Sequence, residues 1–230
     1  MTKVKICPSI LENNINLFYH TLSKLLPFFN YFQIDIIDES FSEEKTVSIK
    51  ELVDFFSKNQ EIFFKNSFDF HLMVAQPEKY FQEIEAVSKL VTIKNIFIHF
   101  KFFQENFLNR FSKINVGLAI NPDETIETIR KKIDLKKLKI FQIMSVIPGA
   151  QGKPFIEDTL KKIEQIKNIS YKSLVFLDGG INEKTILRIL SQKYPPDFLC
   201  PGSFLTKVEN DQLKKHVDFL KKIINNSNTL

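Results

Sequence analysis

The chain has 230 residues, of which 43% are hydrophobic, so it can bury the core of one large α/β domain or of two small ones. Its formal net charge of +5 is spread along the chain without a basic run interleaved with aromatic residues, which argues against a nucleic-acid partner. No apolar run approaches the roughly 20 residues of a membrane span, and no signal-like segment follows the N-terminus, so no membrane partner is expected.

Short apolar runs alternate with amphipathic stretches of helix length along the whole chain. In chain order, the apolar runs predict strands at 4–7, 31–37, 68–74, 95–99, 116–120, 139–146, 173–177 and 198–200. The stretches between and after them predict helices at 13–26, 48–57, 77–90, 104–111, 123–133, 155–167, 182–190 and 209–224. Pro77 suits the first turn of the third helix, and Asp123 is a candidate cap for the fifth.

Eight strand–helix units in a chain of this length predict a closed (β/α)8 TIM barrel of the α/β class. No linker or composition shift divides the chain, so residues 1–230 are expected to form a single domain. The asparagine-rich end predicts a frayed tail over 225–230. Cys7 and Cys200 fall in predicted strands without metal-type spacing, which favours buried thiols in a reducing, cytoplasmic compartment.

The segment from Leu174 to Asn182 gives the clearest functional signal. Its apolar start predicts a buried strand that ends on Asp178, followed by Gly179 and Gly180 before a helix. Exposed backbone amides at a helix start attract a phosphate, and barrel enzymes keep their chemistry at the carboxyl ends of their strands. The segment therefore indicates a phosphorylated substrate, and a plain turn that uses glycine for its positive φ is the equal alternative.

Polar residues at the ends of other strands should meet the same end of the barrel. Gln33 and Asp35 are two residues apart and so share one face of the second strand, and His71 lies in the third. Asp35 and Asp178, from roughly opposite sides of the mouth, suit proton transfer on both faces of one carbon, and His71 and Gln33 could complete a metal site. The other strand-end candidates are Ser9, Gly149, Ala150, Gln151, Gly152, Gly202 and Ser203.

Each of these residues also has a purely structural interpretation. Asp35 could be a polar residue of the barrel interior, and His71 could be a hydrogen-bonded core histidine. His20 and His216 fall on predicted helices and are expected at the surface. His99 ends the fourth strand and could face the mouth, but the pattern assigns it no role.

Several short motifs, in this order and spacing, resemble the ribulose-phosphate 3-epimerase family from about Ile6 to Ser203. The motifs are Pro8-Ser9-Ile10-Leu11, Ile34-Asp35-Ile36-Ile37-Asp38, Phe70-His71-Leu72-Met73-Val74, Pro77-Glu78-Lys79-Tyr80, Gly117-Leu118-Ala119-Ile120-Asn121-Pro122, Met144-Ser145-Val146 with Pro148-Gly149, and Asp178-Gly179-Gly180-Ile181. Each motif is weak alone, and together they are specific for the family.

The resemblance implies a metal-dependent isomerase that inverts C3 of a ketose phosphate through a cis-enediolate, with D-ribulose 5-phosphate and D-xylulose 5-phosphate of the pentose phosphate pathway as the default pair. Asp35 and Asp178 would be the catalytic acid/base pair. One divalent ion (Zn, Fe or Mn) would be held by Gln33, Asp35, His71 and Asp178. The substrate would be bound by Ser9, His71, Gly149, Ala150, Gln151, Gly152, Gly179, Gly180, Gly202 and Ser203. The resemblance also allows a homo-oligomer, a dimer or a hexamer.

The chain departs from the family pattern at the substrate end of the barrel. Gln33 replaces a histidine, so metal affinity should fall or shift from zinc and iron towards manganese. The loop from Glu39 to Glu44 gains negative charge, which is unexpected beside an anionic substrate, and Ile147 replaces a polar residue. The cover loop, Ala150-Gln151-Gly152, lacks an aromatic residue and a glycine of the family pattern.

These departures leave two alternatives to the default function. One is a 3-epimerase for another pentulose or hexulose phosphate, such as allulose 6-phosphate. The other is a degenerate barrel that binds a sugar phosphate without turnover. Decarboxylase and synthase relatives of the barrel are disfavoured, because they place a lysine between two aspartates at a strand end, whereas Ile36, Ile37 and Asp38 follow Asp35 here.

Overall fold

The computed structural model describes residues 3–227, and the strands in that range form one parallel sheet that closes on itself. Its segments are β1 (Lys5–Ile6), β2 (Ser9–Ile10), β3 (Tyr31–Ile37), β4 (Ser67–Met73), β5 (Thr92–His99), β6 (Asn115–Ile120), β7 (Ile140–Met144), β8 (Leu174–Asp178) and β9 (Phe198–Cys200). β1 pairs with β9, and β2 pairs with β3. The predicted (β/α)8 barrel is therefore confirmed, with β1 and β2 as the two halves of its first strand.

The first barrel strand is interrupted at Pro8, where the sequence predicted its end. Before the proline, the Cys7 amide donates to Leu199 O at 2.8 Å, and after it the Gln33 amide donates to Pro8 O at 2.9 Å. Proline has no amide hydrogen to continue a ladder, so the strand changes its main partner here. As a result, Ser9 lies inside the sheet at the rim of the barrel.

Helices pack around the outside of the sheet. They are α1 (Ile15–Leu25), α2 (Ile49–Phe63), α3 (Phe81–Ser88), α4 (Ile126–Arg130), α5 (Lys161–Ile169), α6 (Ile186–Leu190), α7 (Ser203–Thr206) and α8 (Asn210–Ser227). Within residues 3–227 there is no helix whose length and hydropathy would allow it to cross a membrane.

Three expectations about the helices were wrong. The predicted helix 104–111 is only a 3-10 turn, Glu105–Asn109. α4 is capped by Thr125, whose hydroxyl accepts from the Thr128 amide at 3.1 Å, and not by Asp123. α8 continues to Ser227, so residues 225–227 of the predicted frayed tail are helical, and 228–230 lie outside the described residues.

Strand side chains that point into the barrel form an apolar base beneath its mouth. Phe176 stacks on Phe198 with ring centroids 4.3 Å apart and meets Phe97 at 4.9 Å. Burial of each such side chain contributes roughly 1.5–3 kcal/mol to stability. This aromatic floor (Phe97, Phe176 and Phe198) lies one strand repeat below Asp178, which follows Phe176 by two residues on the same face. The floor therefore gives the mouth of the barrel a rigid base.

Candidate active site

Three ionisable side chains from three strands converge inside the mouth of the barrel. Asp35 of β3 is in register with His71 of β4, and Asp178 ends β8. His71 Nδ1 lies 3.2 Å from Asp35 Oδ1 and 3.6 Å from Asp178 Oδ2. All three are buried, but Asp35 and Asp178 keep 5% and 6% of their surface exposed. The structure thus brings together three residues that the sequence placed at one end of the barrel.

Gln33 bridges the two carboxylates. Its Nε2 donates to Asp35 Oδ1 at 2.9 Å and to Asp178 Oδ2 at 2.6 Å. Its Oε1 is buried and has no hydrogen-bond partner. Because an amide can turn end over end, the same side chain can bring Oε1 to the carboxylates when a cation is present there. Gln33 is therefore placed to act as a neutral oxygen ligand.

A second amide, which sequence analysis missed, also contacts Asp178. Gln142 of β7 is fully buried, and its Nε2 donates to Asp178 Oδ2 at 2.9 Å. Gln142 is two residues before Met144, so strand alternation places both side chains on the same, inward face. That alternation was the available signal, since a glutamine inside an apolar strand needs a polar partner.

The electrostatic environment makes Asp178 a poised acid. Burial, followed by the charge of Asp35, raises the pKa of Asp178 to about 7, and His71 and Gln33 act in the opposite direction. A carboxyl group that titrates near neutral pH can both give and take a proton under physiological conditions. This property suits a general acid or base.

His99, to which the sequence gave no role, lies behind His71. His99 Nε2 is 2.9 Å from His71 Nε2, and His99 Nδ1 is 2.9 Å from Asn121 Oδ1. Burial, with His71 nearby, holds the pKa of His99 well below 6.5. The other two histidines lie outside the site, since His20 is exposed and His216 donates to Phe204 O at 2.7 Å.

The donor set suits a divalent metal. Ligand atoms of Asp35, His71 and Asp178 all lie within 4.8 Å of one another. Two carboxylate oxygens and one imidazole nitrogen, with an amide oxygen within reach on Gln33, are ligands that zinc, iron and manganese all accept. The unpartnered Oε1 of Gln33 is the acceptor that such an ion would use.

A cavity of about 350 Å³ opens above Asp35 and Asp178. This volume is in the range of small-molecule sites. Every residue predicted to bind substrate lines it, namely Ser9, His71, Gly149, Ala150, Gln151, Gly152, Gly179, Gly180, Gly202 and Ser203.

The glycines of this cavity are required by its shape. Gly179 and Gly180 have φ values of +109° and +63°, which disfavour any side chain. A Cβ on Gly179 would come within 2.5 Å of Val146 Cγ2. Gln151 crosses Gly202, and both ends of its amide are buried without partners. A donor and an acceptor are therefore free at this end of the cavity.

The acidic loop after Asp38 does not oppose an anionic ligand. Its three extra acids, Glu39, Glu43 and Glu44, are exposed and lie outside the cavity lining. Glu39 pairs with Lys45 at 2.7 Å. The apolar part of the loop faces inwards, where the Phe41 ring packs 4.9 Å from His99. The loop thus directs its charge to solvent.

Two lysines that the sequence analysis did not single out also line the cavity. Lys153 and Lys184 flank its glycine-rich end, with Glu183 beside them. Within residues 3–227, neither ammonium group has an ion-pair or hydrogen-bond partner. Unpaired cations beside free backbone amides attract an anion such as a phosphate.

Comparison with known proteins agrees with this geometry. The model of the "Ribulose-phosphate 3 epimerase family" matches residues 5–204. A ribulose-phosphate 3-epimerase of Schizosaccharomyces pombe is 28% identical over 196 residues, covering 81% of this chain and 80% of that protein. A ribulose-phosphate 3-epimerase of Helicobacter pylori is 26% identical over 218 residues, covering 91% of this chain and 94% of that protein.

Solved structures share the fold at much lower identity. The 3-hexulose-6-phosphate synthase of Salmonella typhimurium superposes with a TM-score of 0.68 at 9% identity, covering 97% of this chain and all of that one. Tryptophan synthase of Mycobacterium tuberculosis gives 0.65 at 8% identity, covering 95% and 91% of the two chains. Identities this low establish the barrel architecture alone.

Proposed function

Because the chain belongs to the ribulose-phosphate 3-epimerase family, as a divergent member and an isomerase of that type, we propose that it inverts C3 of a ketose phosphate. The proposed substrate pair is D-ribulose 5-phosphate and D-xylulose 5-phosphate. The single observation that carries the proposal is the pair Asp35 and Asp178, which face one cavity from separate strands with His71 between them.

Inversion of a carbon by two acids requires one to remove a proton and the other to return a proton on the opposite face. At the start, one acid must be ionised and the other protonated. Burial and the charge of Asp35 raise the pKa of Asp178, and we assign Asp178 as the proton donor and Asp35 as the acceptor in one direction. The roles are exchanged in the reverse direction.

Asp35, His71, Asp178 and the Oε1 of Gln33 would hold one divalent ion. When bound, that ion would supply Lewis-acid stabilisation of the negative charge that develops on the sugar. The residues of the chain contribute the rest of the site: His71 separates the two acids, and the Gln142 amide fixes Asp178 from behind. Carboxylate and amide oxygens favour manganese over zinc in this set.

The phosphate would bind at the glycine-rich end of the cavity. There the backbone at Gly179 and Gly180 is free of side chains, and Gly202 approaches Ser9 closely enough that a Cβ would lie 3.0 Å from Ser9 Oγ. The unpaired Gln151 amide offers a donor. Lys153 and Lys184 add positive charge that backbone amides alone would not supply. Residues 149–152 would cover the bound sugar.

A second candidate is a 3-epimerase for a larger ketose phosphate, such as allulose 6-phosphate. It is favoured by the cover loop, which lacks an aromatic residue of the family pattern and so leaves room above the sugar. Ile147, next to that loop, is 65% exposed and offers an apolar contact at the mouth.

Isotope exchange tests both candidates. The purified protein, supplied with Mn²⁺ or Zn²⁺ in deuterated water, should place deuterium at C3 of D-ribulose 5-phosphate and produce D-xylulose 5-phosphate. Exchange with hexulose phosphates and not with pentulose phosphates would select the second candidate. Binding of ketose phosphates without exchange into any of them would contradict the proposed function and indicate a degenerate barrel.

A further inference from the structure

We propose that Asn121 and His99 are positioning residues that fix the proton of His71 on Nε2. Nδ1 of His71 is then left to face Asp35 and Asp178, where a divalent cation would bind. The inference rests on the proposed function, because the free Nδ1 of His71 matters only if the site binds a metal ion. It concerns the proton on one imidazole ring, which can be measured without any turnover.

The first step is the contact between Asn121 and His99. Asn121 Oδ1 lies 2.9 Å from His99 Nδ1, and an amide oxygen only accepts hydrogen bonds. His99 Nδ1 therefore carries a hydrogen. The backbone of Asn121 is held in place, since its backbone carbonyl accepts from Lys162 Nζ at 2.6 Å and its backbone amide donates to Glu124 Oε2 at 2.7 Å.

The second step is the contact between the two imidazole rings. His71 Nε2 and His99 Nε2 are 2.9 Å apart, so one nitrogen carries the hydrogen and the other accepts it. If both ring nitrogens of His99 carried a hydrogen, the ring would be a fully buried cation. Its only partners would be a neutral amide and a neutral ring. Such a cation is strongly disfavoured. His99 Nε2 is therefore the acceptor, and His71 Nε2 is the donor.

The third step concerns the opposite edge of the His71 ring. Because Nε2 of His71 donates to His99, Nδ1 is the nitrogen left to face the acids, 3.2 Å from Asp35 Oδ1 and 3.6 Å from Asp178 Oδ2. A lone pair that faces two carboxylates is electrostatically unfavourable until a positive charge lies among them. The relay of Asn121, His99 and His71 thus prepares the ring as a ligand before a cation arrives.

Nitrogen-15 NMR of the metal-free protein tests the tautomer directly. The chain has four histidines, and the His71→Gln variant identifies the signals of His71 by their loss. We expect Nε2 of His71 to carry a hydrogen that it donates to His99. A His71 ring without a hydrogen on Nε2 would overturn the inference.

Metal affinity tests the consequence. His99→Phe keeps a ring but removes the acceptor, and we expect Zn²⁺ and Mn²⁺ to bind about 10–100-fold more weakly in competition with a chromogenic chelator. His99→Gln offers an amide oxygen to His71 Nε2 and should restore affinity to within about fivefold. His20→Gln, at an exposed histidine, is the matched control and should bind as the wild type does.

Affinity in His99→Phe equal to that of the wild type would contradict the inference. Thermal unfolding shows whether each variant is folded, and if His99→Phe is not, the NMR measurement on the wild-type protein decides alone. A wild-type protein with hydrogen on Nε2 that exchanges no ketose phosphate would contradict the proposed epimerase function and still support the tautomer. The two failures are therefore distinguishable.

Discussion

Two buried carboxylates inside the barrel have the same raised pKa and different surroundings. Asp178, at the mouth, and Asp69, towards the opposite end, both titrate at about 7, and burial is the largest cause in each case. Asp69 Oδ2 accepts from the Tyr31 hydroxyl at 2.5 Å, and that hydroxyl accepts from Asn95 Nδ2 at 2.8 Å. For Asp178, the charge of Asp35 is the second-largest cause of the raised pKa, and the carboxyl opens onto the cavity.

The difference teaches that a raised pKa does not by itself identify a catalytic group. Asp69 is 0% exposed and its neighbours are hydrogen-bond donors, so its carboxyl belongs to a closed polar cluster that a ligand cannot reach. Asp178 shares its space with a second carboxyl and with a cavity. Access and a like-charged neighbour are the features that point to chemistry.

Substitution of each acid by its amide should give the largest contrast. We expect Asp35→Asn and Asp178→Asn each to lower C3 proton exchange by about 10²–10⁴-fold, because each removes one proton-transfer group. Asp69→Asn should change exchange by no more than about threefold, which is under about 1 kcal/mol of activation free energy. Deuterium incorporation by NMR measures all three. Near-normal exchange in Asp178→Asn would refute the two-acid mechanism.

Metal affinity should distinguish Gln33, which contacts the acids at the mouth, from Tyr31, which contacts Asp69. Gln33→His supplies an imidazole nitrogen at the mouth and should tighten Zn²⁺ or Fe²⁺ binding by about tenfold or more, because imidazole is the better ligand for both ions. Tyr31→Phe, on the same face of β3 but beside Asp69, is the matched control and should leave affinity unchanged. Chelator competition measures both, and equal affinity in Gln33→His and wild type would mean that residue 33 does not ligate the ion.

The pH dependence of the unfolding free energy should show the effect of the buried Asp69 carboxyl. The pKa of Asp69 rises from 3.8 to about 7 on folding, so the folded protein holds a proton that the unfolded chain releases. The resulting stabilisation is complete below pH 3.8 and is lost as pH rises through 7. At about 1.4 kcal/mol per pKa unit, it amounts to roughly 4–5 kcal/mol.

Asp69→Asn should therefore flatten part of the decline in unfolding free energy between about pH 4 and pH 7. Urea denaturation of metal-free protein at several pH values measures this slope, and Asp134→Asn at an exposed position is the control. A slope identical to that of the wild type would show that Asp69 does not keep its proton on folding.

The fold could be predicted because apolar strands and amphipathic helices alternate with little interruption. Strand alternation also placed Gln33 and Asp35 on one face, and the structure shows them in contact. The contacts of Asp178 with Gln142 and of His71 with His99 could not be predicted, because they depend on register between strands that the sequence does not state. The prediction of a helix at 104–111 was wrong because packing decided the local structure. Phe107 is buried in the core from a 3-10 turn, and the sequence pattern does not distinguish such a turn from a helix.

The interrupted first strand has a consequence for the order of assembly during synthesis. Its first half hydrogen-bonds to β9, near the far end of the chain, and its second half to β3. During translation the open side of β3 can be covered early by β2, but β9, the partner of β1, leaves the ribosome only after all the other strands. The final seam of the barrel therefore joins its first strand to its last, and the unpaired edges need protection from aggregation until then.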